Sequence, residues 1–228
     1  MNHLGAAHIA AAAARQGAAM IHISTDYVFD GTKKGAYTEA DPTQPLGVYG
    51  RSKMAGETAV AVHCGRHIIL RTAWVFSAHG SNFVKTMFRL MQQERRPKLR
   101  VVADQIGCPT PARDIAAACL TLAVRAGEPA AGLAWGTYHF AGSEPVSWHG
   151  FASAIAEGLK KRCGTATDVE PIATADYPTP AARPANSVLD CSRIAECLGI
   201  AAPDWRAGLG EVLDELVAQQ QVAEAAAL

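Results

Sequence analysis

Met20-Ile21-His22-Ile23-Ser24-Thr25-Asp26-Tyr27 is the stretch that decides the fold. The short apolar run from Met20 to Ser24 gives way abruptly to a hydroxyl and a carboxylate, the pattern of a buried parallel strand. In an open parallel sheet the carboxyl end of such a strand borders the ligand crevice. On its N-terminal side, Leu4 to Gln16 is alanine-rich and helical, closed by Gly17. On its C-terminal side a loop rich in Gly, Pro, Thr and Asp runs from Thr25 to Gly47, and Val48 to His63 then reads as a helix.

The alternation continues. Strands are expected at His67 to Arg71, Leu99 to Ala103 and Thr137 to Ala141, and helices at Asn82 to Gln93, Arg113 to Arg125 and Trp148 to Arg162. The charged run Glu94-Arg95-Arg96 should end the Asn82 helix, where arginine also offsets the helix dipole. Strand, crossover helix and strand in repeated order predict an α/β fold with a doubly wound parallel sheet. Beyond Gly164 the pattern changes to a Pro-rich stretch, a short helix at Ser192 to Leu198 and a last helix from Arg206, fraying after Gln221. That tail reads as a smaller C-terminal lobe packed on the sheet.

Composition excludes several classes. Lys plus Arg and Asp plus Glu are both 21, so the chain carries no electrostatic footprint for nucleic acid or an anionic membrane surface. No run approaches the ~20 apolar residues that cross a bilayer. The six cysteines include no C-x-x-C pair and read as free thiols of a reducing cytoplasm rather than zinc ligands or disulfides. His22 and His139 sit in strand positions that favour a satisfied buried imidazole over a base or a metal ligand, and no metal site is expected among the chain's own residues.

The chemistry centres on Tyr49-Gly50-Arg51-Ser52-Lys53. Tyr49 and Lys53 lie four apart, on one face of a helix. An ammonium beside a phenol lowers its pKa and makes it a usable proton donor and acceptor. Alone the spacing arises by chance; the strand that ends at Thr25, whose hydroxyl could polarise a substrate carbonyl, gives it weight.

With these residues in place the chain resembles the extended short-chain dehydrogenases/reductases, and within them the dTDP-4-dehydrorhamnose reductase family. The resemblance rests on Ser24-Thr25-Asp26-Tyr27-Val28-Phe29-Asp30-Gly31, Tyr49 to Glu57, Arg71 to Phe76, Asn82-Phe83-Val84, Asp104 to Thr110, and Arg183 to Ser187. It implies a partial Rossmann-type sheet, with residues 1–145 forming the C-terminal part of an NAD(P)-binding domain with interleaved lobe segments, and 146–228 forming mainly the substrate lobe. The implied activity is reduction of a dTDP-4-keto sugar by NADPH or NADH, in a cytoplasmic enzyme. Tyr49 would protonate the sugar O4, Lys53 would tune it and hold the nicotinamide ribose, and Thr25 would bond the reacting oxygen. Asp26, Trp74, Asn82 and Arg183 would contact the nucleotide-sugar. For Trp74 core packing is an even alternative, and an Arg in a proline-rich loop is more often a surface charge. A homodimer, and an Mg2+ at a subunit contact, are left open by the resemblance.

Relatives of this family begin with a glycine-rich turn that receives the pyrophosphate. The expectation is that this chain starts beyond it, in the middle of the nucleotide-binding domain, through an upstream start or as an incomplete polypeptide. Two other readings stand beside the reductase: an epimerase or dehydratase using the same Tyr and Lys, and a non-catalytic regulatory subunit or inactive fragment of the same fold.

Overall fold

The computed structural model describes residues 1–93, 98–128, 132–164, 167–179 and 181–226. In chain order the elements are α1 (Leu4–Arg15), β1 (Met20–Thr25), α2 (Val48–His63), β2 (His67–Thr72), β3 (Val75–Phe76), α3 (Phe83–Met91), β4 (Lys98–Val102), β5 (Ile106–Gly107), β6 (Thr110–Pro111), α4 (Ala112–Gly127), β7 (Gly136–His139), β8 (Val146–Ser147), α5 (Trp148–Cys163), β9 (Asp168–Ile172), α6 (Ser192–Leu198) and α7 (Trp205–Ala225). The run Glu94-Arg95-Arg96 lies outside the described residues.

A parallel three-stranded sheet in the order β1-β2-β7 carries the site. Side chains alternate across a strand, and β2 shows the consequence. Ile68 and Leu70 face α4 and α6 in one core, with Ile115, Leu122, Ile194 and Leu198. Ile69 faces α1 and α2 in another, with Ala10 and Val60. Helices thus cover both faces, as in doubly wound sheets.

The lobe has its own core of Phe76, Val84, Met87, Leu99, Phe151, Ile155, Trp205 and Leu213, drawn from β3, α3, β4, α5 and α7. Here the structure departs from the sequence reading. The Leu99 strand does not extend the main sheet: β4 pairs in parallel with β9 in a separate two-stranded sheet, with Leu99 opposite Val169. Nothing in the sequence marked β9 as a strand, because only Ile172 of it is buried and Pro171 interrupts it; proline is tolerated on an edge strand such as this. The last helix does not fray after Gln221 but continues to Ala225, where Gln220 donates to Glu224 one turn on at 2.6 Å.

Candidate active site

The carboxyl ends of β1 and β2 lie side by side, with Thr25 opposite Thr72 in the parallel register. Thr25 closes β1 and caps the short 3-10 turn Asp26–Val28, its Oγ1 accepting the Tyr27 N–H at 3.2 Å. The same hydroxyl donates to Asp26 Oδ1 at 2.8 Å. Ser24, Thr25, Asp26 and Thr72 are all buried, and among the described residues Ser24 Oγ, Thr72 Oγ1 and Asp26 Oδ2 have no hydrogen-bond partner. Buried polar atoms are nearly always paired. Orphans gathered where two parallel strands end mark a place suited to a polar ligand.

Helix α2 enters over this place. Its first turn is pressed onto the turn after β1, so that a Cβ on Gly50 would run into the Tyr27 carbonyl and the Pro45 ring. The close approach sets Tyr49 edge-on to Tyr27, ring centroids 6.0 Å apart. Tyr49 is half exposed at the mouth. Burial pushes its phenol up, hydrogen bonding from Thr25 works the other way, and the charge of Asp26 adds to the rise.

Lys53, one turn on, donates to the Ile23 carbonyl of β1. This corrects one expectation. The ammonium is engaged by the strand and is not among the groups that shift Tyr49, whose pKa is raised rather than lowered; the group that stabilises its anion is the Thr25 hydroxyl. Burial lowers the pKa of Lys53 itself, against the charge of Glu57.

Two residues that the sequence reading passed over underlie the pair. Glu57, a further turn along α2, holds Arg71 of β2 in a buried fork, with Nε donating to Oε1 at 3.0 Å and Nη2 to Oε2 at 2.7 Å. Arg71 also lies over the Phe29 ring, 5.1 Å from its centroid. The signal was available: Tyr49, Lys53 and Glu57 repeat every four residues on one helix face. His139 closes this layer, buried and 3.4 Å from Arg71, its Nδ1 on the Tyr37 carbonyl, and burial followed by the charge of Arg71 pushes its pKa down to about 3. His22 is less satisfied than expected, since its Nε2 is buried without a partner.

The remaining candidates divide. Trp74 sits at a left-handed φ of 46°, unusual for a bulky side chain. Its indole stacks on Trp148 at 3.4 Å and 5°, and its Nε1 donates to Ser187 Oγ at 3.0 Å. A Cβ on Gly107 would strike the same indole and the Ser187 hydroxyl. The Ser187 hydroxyl, which donates in turn to the Ile106 carbonyl at 3.3 Å, also lowers the pKa of Asp26, so Trp74 adjoins the site through it. Arg183 is exposed; burial, then the charge of Asp26, raises the pKa of Tyr27, and the charge of Arg183 works against that rise. Asn82 is spent as the N-cap of α3: Oδ1 accepts from the Lys85 N–H, and Nδ2 donates to the Ser77 and His79 carbonyls. Among the described residues no hydrogen bond links it to Thr25, Asp26 or Tyr49.

Among the described residues no three His, Cys, Asp or Glu side chains gather into a metal-holding group, so no Mg2+ is assigned within the chain. No helix among them is long and apolar enough to cross a membrane, and all six cysteines are free.

Residues 1–218 match the family described as the RmlD substrate binding domain. A dTDP-4-dehydrorhamnose reductase of Burkholderia thailandensis is 47% identical over 219 residues, covering 92% of this chain and 72% of the relative. Among solved structures, a dTDP-4-dehydrorhamnose reductase of Clostridium acetobutylicum superposes with a TM-score of 0.85 at 36% identity, over 95% of this chain and 72% of that one. Another, from Bacillus anthracis in complex with NADP, gives 0.83 at 34% identity, over 94% of this chain and 72% of that one.

Proposed function

The chain belongs to the family of the RmlD substrate binding domain, and on that premise we propose that it reduces dTDP-4-dehydro-L-rhamnose to dTDP-L-rhamnose in nucleotide-sugar biosynthesis. The observation that carries the site assignment is the Thr25 hydroxyl, held between Asp26 and Tyr49 where β1 ends.

The nicotinamide cofactor, NADPH or NADH, supplies the hydride that reaches C4. The chain's own residues handle the oxygen. Tyr49 gives its phenolic proton to O4 as negative charge develops there, so the ketone becomes a secondary alcohol and Tyr49 a phenolate. Thr25 offers its one hydrogen to the reacting oxygen, a preoriented donor where charge appears. Lys53, anchored on Ile23, would hold the nicotinamide ribose and return a positive charge to the phenolate's side of the helix. The orphaned Ser24, Thr72 and Asp26 atoms fit a hydroxyl-rich ligand at the strand ends. Asp26, Trp74 and Arg183 would face the nucleotide-sugar.

Tyr49→Phe tests the assignment. Turnover, followed as loss of NADPH absorbance with the 4-keto sugar, should fall about 10²-fold or more, while calorimetry still registers the nucleotide-sugar. Retained turnover would remove Tyr49 from the reaction. Sugar isomerisation without net NADPH oxidation would make the protein an epimerase instead.

A further inference from the structure

The Thr25 hydroxyl has its one hydrogen committed before any ketone arrives. It donates to Asp26 Oδ1 at 2.8 Å and accepts the Tyr27 N–H at 3.2 Å, and it neighbours Tyr49, where it works against the rise that burial imposes on the phenol. A threonine hydroxyl has one hydrogen and two lone pairs. While an ionised Asp26 holds that hydrogen, Thr25 has none to offer a ketone, and toward Tyr49 it can only accept.

Asp26 is built to carry a proton. It is 2% exposed, and its second oxygen, Oδ2, is buried with no partner among the described residues. A dry, unpaired carboxylate oxygen disfavours the anion. Burial accordingly pushes Asp26 up to about 6, with the hydrogen bond from Thr25 and the nearby Ser187 hydroxyl pulling the other way. The titratable groups that face it are the phenols of Tyr27, on its own turn, and Tyr49, from α2, and the thiol of Cys108, from the segment between β5 and β6. All three are themselves pushed up by burial, hence neutral, and no cation is among the groups acting on the carboxylate. The charge of Arg183 bears on Tyr27.

Resting on the reductase reading above, we propose that Asp26 is a positioning residue that sets the direction of the Thr25 hydroxyl. Protonated, Asp26 donates to Thr25 Oγ1 and frees the one Thr25 hydrogen for the reacting oxygen or, with the site empty, for the Tyr49 oxygen. Ionised, it takes that hydrogen back and leaves Thr25 an acceptor. The Asp26 proton is not consumed; O4 receives its proton from Tyr49. The competent form is therefore the one present at lower pH.

The test reads the hydrogen-bond chain with and without turnover. In the whole chain labelled with 13C at tyrosine Cζ, NMR should show the Tyr49 resonance stepping with a midpoint near 6 as Asp26 titrates. Thr25→Ser should keep the step, Asp26→Asn should abolish it, and Thr25→Val should cut it to the small residue that bare charge produces across space. A step of full size in Thr25→Val, or no step in the wild type, overturns the inference, and the two Thr25 variants decide it even where Asp26→Asn fails to fold. In the kinetic arm, kcat/KM should fall about tenfold per pH unit above the Asp26 midpoint and lose that limb in Asp26→Asn. A limb that persists in Asp26→Asn sinks the inference while leaving the reductase reading intact. A chain with no turnover that nonetheless shows the predicted NMR steps sinks the reductase reading and supports the hydrogen-bond switch.

Discussion

Glu57 and Arg71 illustrate how much of the site depends on residues that never meet the substrate. Their two-point ion pair is buried on both sides, and removing one partner leaves a dry charge, which costs about 3–5 kcal/mol. Glu57→Gln should therefore lower unfolding stability by that order in urea titrations. Glu57→Gln combined with Arg71→Met should recover part of the loss, since no unpaired guanidinium remains. His139, beside the pair, gives a pH signature. Its folded pKa is about 3 against an ordinary 6.5, so the unfolded chain binds its proton first. The stability it lends is complete above 6.5 and drains as pH falls toward 3. Asp26 runs the other way: raised from 3.8 to about 6, it lends stability that is complete below 3.8 and lost as pH rises through 6. Urea midpoints measured down a pH series should thus decline less steeply in His139→Gln than in the wild type; equal slopes would show that His139 is not the group that titrates.

At the scale of the element, helix α2 is the part that must be placed well, because it carries Tyr49, Lys53 and Glu57 in successive turns. Gly50 lets its first turn touch the Tyr27 carbonyl, and an added methyl would lift that turn away from β1. Gly50→Ala should cost about 1–3 kcal/mol as overpacking does and depress kcat along with it. Gly65→Ala, where a Cβ meets nothing within 4 Å, is the control and should leave both unchanged. Comparable losses in the two variants would argue that the helix is not held by this contact. Elements of this kind were readable in advance: α2 and α6 begin and end at the residues that the sequence pattern picked out, because apolar spacing and flanking glycines act locally. β9 was not readable, since an exposed, proline-interrupted strand owes its form to its partner β4.

For the whole molecule, the sequence carried the doubly wound architecture and the meeting of Thr25, Asp26 and Tyr49 at one strand end, because strand order and helical spacing determine both. It did not carry the polarity of the site. Which group sits nearest the phenol depends on side-chain direction: Lys53 turns to the Ile23 carbonyl and Thr25 takes the place expected of it. Nor could spacing separate Asn82, absorbed by a helix cap, from Trp74, hydrogen-bonded to Ser187 beside the site. The partition of the chain between two cores follows the same logic, since α6 returns to pack on the sheet while α5 and α7 build the lobe. The central claim, that hydride is delivered to C4 at the end of β1, is tested most directly by incubating the chain with dTDP-4-dehydro-L-rhamnose and NADPH deuterated on the transferred nicotinamide position. The account predicts dTDP-L-rhamnose bearing deuterium at C4, formed in step with NADPH oxidation. An unlabelled product, or a sugar recovered unreduced while NADPH is intact, would contradict it.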